Sequence, residues 1–213
     1  AIREESPDVV AIAYYAWSAN LNNLVLKLTK EHDPNILTVG GGPTVTNLTF
    51  NVEGGTAFFK NYGPDCDTYV VNQGEKGFVE IINRFIEVDG NLAKLKREPI
   101  AGCLTNDMAH GIVMVGEKIK SLDSLDEIPS PYLNGMLDPF LEKSYTPLLE
   151  TNRNCPYQCT FCAFGVGDGK LLKFDLDRVF AEIDHIASST KADYLITTDT
   201  NFGIIERDKD IAK

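Results

Sequence analysis

The stretch Leu149-Glu-Thr-Asn-Arg-Asn-Cys155-Pro-Tyr-Gln-Cys159-Thr-Phe-Cys162-Ala-Phe-Gly165 holds three of the chain's five cysteines in the pattern CxxxCxxC. Five cysteines scattered at random over 213 positions would give that spacing with a probability of roughly 0.003, so chance is a weak explanation. Three thiols on one short loop can face a single metal centre, because loop backbone, unlike a strand or helix, can turn all three sulfurs inward. A mononuclear zinc site calls for a fourth ligand, usually from a second CxxC or a histidine pair, and the sequence supplies neither. A 4Fe-4S cluster on three thiolates instead leaves one iron open to a substrate or cofactor. The bacterial ferredoxin spacing is absent. The pattern therefore favours an iron-sulfur cluster over zinc or buried structural thiols.

Outward from the cysteines, the pattern is β-α. Thr146-Pro-Leu-Leu-Glu150 predicts a strand leading into the loop, and Tyr194-Leu-Ile-Thr197 a second strand. Between them, Leu176, Val179, Phe180, Ile183, Ile186 and Ala187 share one helix face, with Asp175 as N-cap. Toward the N-terminus, Val9-Val-Ala-Ile-Ala-Tyr14, Ile36-Leu-Thr-Val39 and Thr68-Tyr-Val-Val71 read as buried strands. They alternate with helices carrying Leu21, Leu24, Val25 and Leu28, then about 56–62, then Phe78, Ile81, Ile82 and Phe85. The fold class expected is α/β: a doubly wound, Rossmann-like parallel sheet over 1–91 and the first β-α units of a partial TIM-type barrel over 146–213. Residues 92–145 read as a linker that packs on the domains, with a hairpin near Gly102–Val115 and the turn-rich Ile128-Pro-Ser-Pro-Tyr132.

With 43% hydrophobic and 24% charged residues, the composition is globular. A net charge of −11 makes nucleic acid an unfavourable partner. No apolar run approaches a membrane span, and no targeting segment opens the chain, so a cytoplasmic location without a membrane partner is expected.

The cysteine loop, following a strand and carrying an aromatic at Phe161, resembles that of radical S-adenosylmethionine enzymes. The order Asp-Val-Val-x-Ile, Tyr-x-Trp-Ser, Gly-Gly-Pro, Gly-Glu, Ile-Pro-Ser-Pro-Tyr, CxxxCxxC resembles, over nearly the whole chain, the radical S-adenosylmethionine proteins with a cobalamin-binding domain. That resemblance implies Cys155, Cys159 and Cys162 as ligands of a 4Fe-4S cluster, and Phe161, Asp199 and Asn201 as S-adenosylmethionine contacts. It also implies a cobalamin site lined by Trp17, Ser18, Gly41, Gly42, Pro43, Gly74 and Glu75. In place of the family's Gly-Gly-Glu-like segment the chain has Thr197-Thr-Asp-Thr-Asn-Phe-Gly203, where Asp199 also reads as a helix cap. The cobalamin-type Asp-x-His-x-x-Gly is absent, and none of His32, His110 and His185 has that context. On the residues alone, the glycines also read as ordinary turns, and Trp17 and Tyr14-Tyr15 as core aromatics.

The reaction implied is one-electron cleavage of S-adenosylmethionine to a 5′-deoxyadenosyl radical, C-H abstraction, then methyl transfer or related chemistry on a small molecule. Flavodoxin or ferredoxin would supply the electron. A non-catalytic iron-sulfur protein and a methylthiotransferase-like enzyme are the alternatives, although Cys66 and Cys103 read as buried thiols. The opening on Ala1 and the close on Arg207-Asp-Lys-Asp-Ile-Ala-Lys213 suggest a fragment cut at both ends, from which no turnover is expected.

Overall fold

The structure, a computed structural model, describes residues 2–213 apart from 47–48, 121, 144, 158 and 163–169. Segment 163–169, which closes the cysteine-bearing stretch, therefore lies outside the described residues. Residues 1–121 and 122–213 form two units.

The first unit runs α1 (Ile2–Glu5), β1 (Val9–Ala13), α2 (Ala19–His32), β2 (Leu37–Gly41), α3 (Val52–Asn61), β3 (Thr68–Val70), α4 (Gly74–Glu87), α5 (Leu92–Leu95), β4 (Cys103–Asp107) and β5 (Ile112–Val115). The strands form one sheet in the order β1-β2-β3-β4-β5. The first three are parallel, with Ala11 opposite Val39 and Val39 opposite Thr68. β4 and β5 continue the sheet antiparallel, Tyr69 facing Leu104 and Leu104 facing Val115. Helices cover both faces. Leu26 of α2 and Phe58 and Phe59 of α3 pack with Tyr14, Tyr69, Leu104 and Val113 on one side. Ile81 of α4 and Leu95 of α5 pack with Leu37, Val39, Val70 and Cys103 on the other. Apolar side chains on both faces of β3, Tyr69 on one and Val70 on the other, explain why its sequence reads as a continuous run.

Three local expectations differ from what is observed. Leu21, Leu24 and Leu28 are exposed, and α2 buries Asn22, Leu26 and Thr29 instead. The polar pair is tolerated because its hydrogen bonds are made: Asn22 Nδ2 donates to Ala13 O at 2.8 Å, and the Thr29 hydroxyl to Val25 O at 2.8 Å. Helix α3 begins at Val52, four residues before the expected start. Asn51 caps it, accepting from Gly54 N at 2.8 Å, and the glycines of its first turn hide the start from a periodicity reading. The hairpin expected inside a linker is β4–β5, joined to the free edge of β3, because burying the apolar Cys103 and Leu104 there removes them from water.

The second unit contains α6 (Asp138–Leu141), β6 (Leu148–Leu149), β7 (Asn152–Arg153), β8 (Leu172–Lys173), α7 (Leu176–Ser189), β9 (Ile196–Thr197) and α8 (Asp208–Ile211). β6 and β9 pair in parallel, and β7 pairs antiparallel with β8. Leu122, Leu125, Tyr132 and Leu141 pack with Leu149, Leu172, Phe174, Val179 and Ile186, so the second part of the segment read as a linker belongs to this core. Tyr132 of the Ile-Pro-Ser-Pro-Tyr turn holds β6 directly: its hydroxyl donates to Leu148 O at 2.7 Å and accepts from Leu148 N at 3.1 Å. Asp175 caps α7 as expected, accepting from Asp177 N at 2.9 Å. That helix buries Val179, Ile186 and Glu182, and the Glu182 carboxylate is neutralised by Arg178 at 3.0 Å, while Phe180 is exposed.

Candidate metal centre and strand-end loops

The cysteines sit on the loop between β7 and β8, whose two ends are held side by side by the β7–β8 pairing of Asn152 with Lys173. Just before the loop, Asn154 adopts φ 73° and donates from Nδ2 to Lys170 O at 3.1 Å, closing the mouth. Arg153 is fixed by Glu150 through bonds of 2.8 and 2.9 Å. Cys162 N donates to Cys159 O at 3.0 Å, a tight turn between the second and third cysteines.

The segment after β9 clamps this loop. Asp199 accepts four hydrogen bonds: from Thr151 N at 2.6 Å, the Thr151 hydroxyl at 2.5 Å, Asn152 N at 3.0 Å and Asn152 Nδ2 at 2.9 Å. Its carboxylate has about four acceptor positions, and the chain itself fills them. In this structure Asp199 therefore positions the strand that enters the cysteine loop, where the resemblance implied a contact to S-adenosylmethionine and the sequence also allowed a helix cap. Asn201, two residues on, donates from Nδ2 to Cys155 Sγ at 2.8 Å. Arg207 reaches the same region, donating to Phe174 O at 2.5 Å and Thr151 O at 2.7 Å. The sequence reading missed Thr151, Asn152 and Arg207. Their signal is polar residues flanking a loop that needs rigid ends, which only the strand pairing makes visible.

Cys155 is buried, Cys162 half-buried and Cys159 exposed, and none is in a disulfide. Among the described residues, no three cysteine, histidine or acidic side chains are gathered closely enough to hold a metal ion. The donor set nonetheless suits an iron-sulfur cluster: three free thiols on one loop with anchored ends, the first accepting an amide hydrogen bond. Phe161 projects into solvent at 90% exposure. Asn152 Oδ1 is a buried acceptor without a partner among the described residues.

In the first unit, the ends of β1, β2 and β3 lie at one edge of the sheet, because the three strands are parallel neighbours. In the turn Gly41-Gly42-Pro43, Gly41 is held to the end of β1 by Tyr14 N, which donates to Gly41 O at 2.7 Å, and Gly42 to β3 by the Tyr69 hydroxyl, which donates to Gly42 O at 2.7 Å. Gly42 has φ 108°, and a Cβ there would lie 2.8 Å from Tyr14 O, so this glycine is required by the turn itself. Ser18 closes the β1–α2 turn, its hydroxyl accepting from Tyr15 N at 3.2 Å and Asn22 Nδ2 at 3.1 Å. Trp17 is 84% exposed and stacks on Tyr15 at 4.8 Å, so it is not a core aromatic, whereas Tyr14 is fully buried against Phe58. Gly74 and Glu75 open α4 at the same edge, with free space around Gly74. A cavity of about 740 Å³ lies at the opposite edge, lined by Lys30, Pro64, Lys96, Asn106 and Met114.

Cys66 and Cys103 lie on opposite faces of the sheet, both fully buried. Burial pushes the Cys66 thiol well up from its ordinary range and the Cys103 thiol up to about 12. Neither is placed to ligate a second cluster. His185 pairs with Asp138 at 2.7 Å and His110 with Asp107 at 2.7 Å.

No family model matches the chain. It is 34% identical, over 97% of its length, to the cobalamin-dependent radical SAM methyltransferase TokK of Streptomyces tokunonensis. It is equally 34% identical, over 97% of its length, to the 2-(S-pantetheinyl)-carbapenam-3-carboxylate methyltransferase of Streptantibioticus cattleyicolor. The chain is related to the cobalamin-dependent radical S-adenosylmethionine methyltransferases. It spans 29% of the length of each of these two relatives. The fold agrees: the radical S-adenosylmethionine methyltransferase TsrM of Kitasatospora setae matches 99% of this chain with a TM-score of 0.61 at 18% identity, using 40% of its own length. That TsrM structure holds tryptophan and an S-adenosylmethionine analogue, and a second one, with a TM-score of 0.59, holds cobalamin and a [4Fe-4S] cluster.

Proposed function

We propose that the chain carries the cobalamin-binding-type layer and the cluster-bearing opening of a cobalamin-dependent radical S-adenosylmethionine methyltransferase acting on a small molecule. The observation that carries this reading is the CxxxCxxC loop held at both ends by a β-loop-β frame, within a chain similar along its length to such methyltransferases. Cys155, Cys159 and Cys162 would hold the cluster. When bound, the cluster supplies the electron for cleaving S-adenosylmethionine to a 5′-deoxyadenosyl radical, and cobalamin a transferable methyl group.

The chain's own residues hold and orient. Asp199 and Arg207 fix Thr151, and with it the entry to the loop. Asn152 Oδ1 offers a buried acceptor suited to an ammonium N-H such as that of the methionyl group. Exposed Phe161 offers a flat apolar face to an adenine ring, and exposed Trp17 one to a corrin edge. The electron would come from a flavodoxin or ferredoxin, and the expected setting is the cytoplasm. No helix of the described residues is long and apolar enough to cross a membrane.

The test is anaerobic reconstitution of the full-length protein with iron, sulfide and cobalamin, then addition of S-adenosylmethionine and dithionite. Formation of 5′-deoxyadenosine, with close to four irons and one cobalt per chain, supports the reading. A cluster intact by EPR with no cleavage of S-adenosylmethionine would favour a non-catalytic iron-sulfur protein and overturn it.

A further inference from the structure

The Asn201 amide points at a sulfur, not at open space. Its Nδ2 lies 2.8 Å from Sγ of Cys155, the most buried of the three loop cysteines. The contact is built into the fold. β6 and β9 are parallel neighbours, so the segments leaving them run side by side in the same direction. Asp199 grips Thr151 and Asn152, and two residues further along Asn201 meets Cys155, three residues beyond Asn152. A four-bond carboxylate clamp immediately upstream sets the register of the amide, so the Asn201 side chain is held on the buried thiol.

We infer that Asn201 is a tuning residue for the metal centre: it donates a hydrogen bond to the sulfur of Cys155 and raises the reduction potential of the cluster bound there. The inference rests on the reading of Cys155, Cys159 and Cys162 as cluster ligands. A hydrogen bond to a ligating sulfur stabilises the more negatively charged, reduced state more than the oxidised one, and hydrogen bonds to sulfur are among the features that set iron-sulfur potentials. Removing the donor lowers the midpoint potential, and replacing it with a carboxylate, which cannot donate when ionised and adds negative charge, lowers it further.

The experiment is a dithionite titration, followed by EPR, of the anaerobically reconstituted full-length protein and its Asn201→Leu and Asn201→Asp variants, with iron per chain measured in each. The expected result is an unchanged iron content, a more negative midpoint in Asn201→Leu and a still more negative one in Asn201→Asp. Asn201→Asp keeps the side chain's size and serves if Asn201→Leu does not fold. Midpoints indistinguishable from wild type in the variants overturn the inference while leaving the cluster reading intact. Variants that no longer retain iron assign Asn201 to cluster retention and overturn the tuning role. A wild-type protein that takes up no cluster overturns both readings.

Discussion

At the scale of single residues, Asp199 and Gly42 show how little freedom the candidate site allows. The Asp199 carboxylate satisfies two backbone N-H groups and two side chains at the entrance to the cysteine loop. Hydrogen bonds to a charged group contribute roughly 1.5–3 kcal/mol each, though not additively. Asp199→Ala is expected to destabilise the protein by about 3 kcal/mol, and Asp199→Asn, which keeps one acceptor oxygen, by about half as much, both read from urea midpoints. Iron uptake on reconstitution should fall in the same order, since both variants loosen the same loop end. Gly42→Ala introduces a Cβ 2.8 Å from Tyr14 O at a backbone φ of 108°. A cost of about 2 kcal/mol is expected, and an unchanged urea midpoint would show that the turn relaxes around it. The cysteine spacing and the Gly-Gly-Pro turn are visible as letters. What Asn201 touches is not, because its partner lies 46 positions away.

At the scale of elements, a buried charge ties the first unit together. Asp67, just before β3, is nearly inaccessible and contacts Lys30 of α2 at 2.5 Å and Lys96, next to α5, at 2.6 Å. It also accepts from Thr38 N and the Thr38 hydroxyl of β2, each at 2.9 Å. Removing one partner of a buried ion pair leaves the other charge uncompensated, so Asp67→Ala should cost about 3–5 kcal/mol in urea unfolding. In the second unit, Asp175→Ala removes a helix cap and should cost about 1 kcal/mol by the same measurement. The two helices teach different lessons about legibility. The N-cap of α7 is readable because capping is local chemistry between neighbours in sequence. The buried face of α2 is misread because the expected stripe of Leu21, Leu24 and Leu28 is more apolar than Asn22 and Thr29, and only the hydrogen bonds the polar pair makes tip the choice.

For the whole molecule, the buried thiols and phenols set an upper pH limit on stability. Burial raises the Cys103 thiol from its ordinary 9.0, and the Tyr69 phenol from its ordinary 10.0, each to about 12. The folded state holds these protons more tightly than the unfolded chain does. Their contribution is therefore complete below about pH 9 and is lost progressively as pH rises toward 12. Urea midpoints should fall steadily between pH 8.5 and pH 11, on the order of these shifts, and Cys103→Ala should flatten part of the slope. A pH-independent midpoint over that interval would show that the folded core admits the charged forms.

The sequence by itself determined the α/β alternation, the strand positions and the three-cysteine loop, because each is written in local periodicity, glycine and cysteine spacing. It placed the loop between the strand at 146–150 and the helix from Leu176, but not the short β7–β8 pair that closes the loop, because two-residue strands leave no periodicity. Only the tertiary structure decided that the hairpin completes the sheet at the β3 edge, that Asp199 braces the chain's own backbone, and that Asn201 faces Cys155. The physical reason is common to all three. Strand pairing brings together residues some 35 to 50 positions apart, and the fate of a polar side chain depends on which unsatisfied partner that pairing puts within 3 Å.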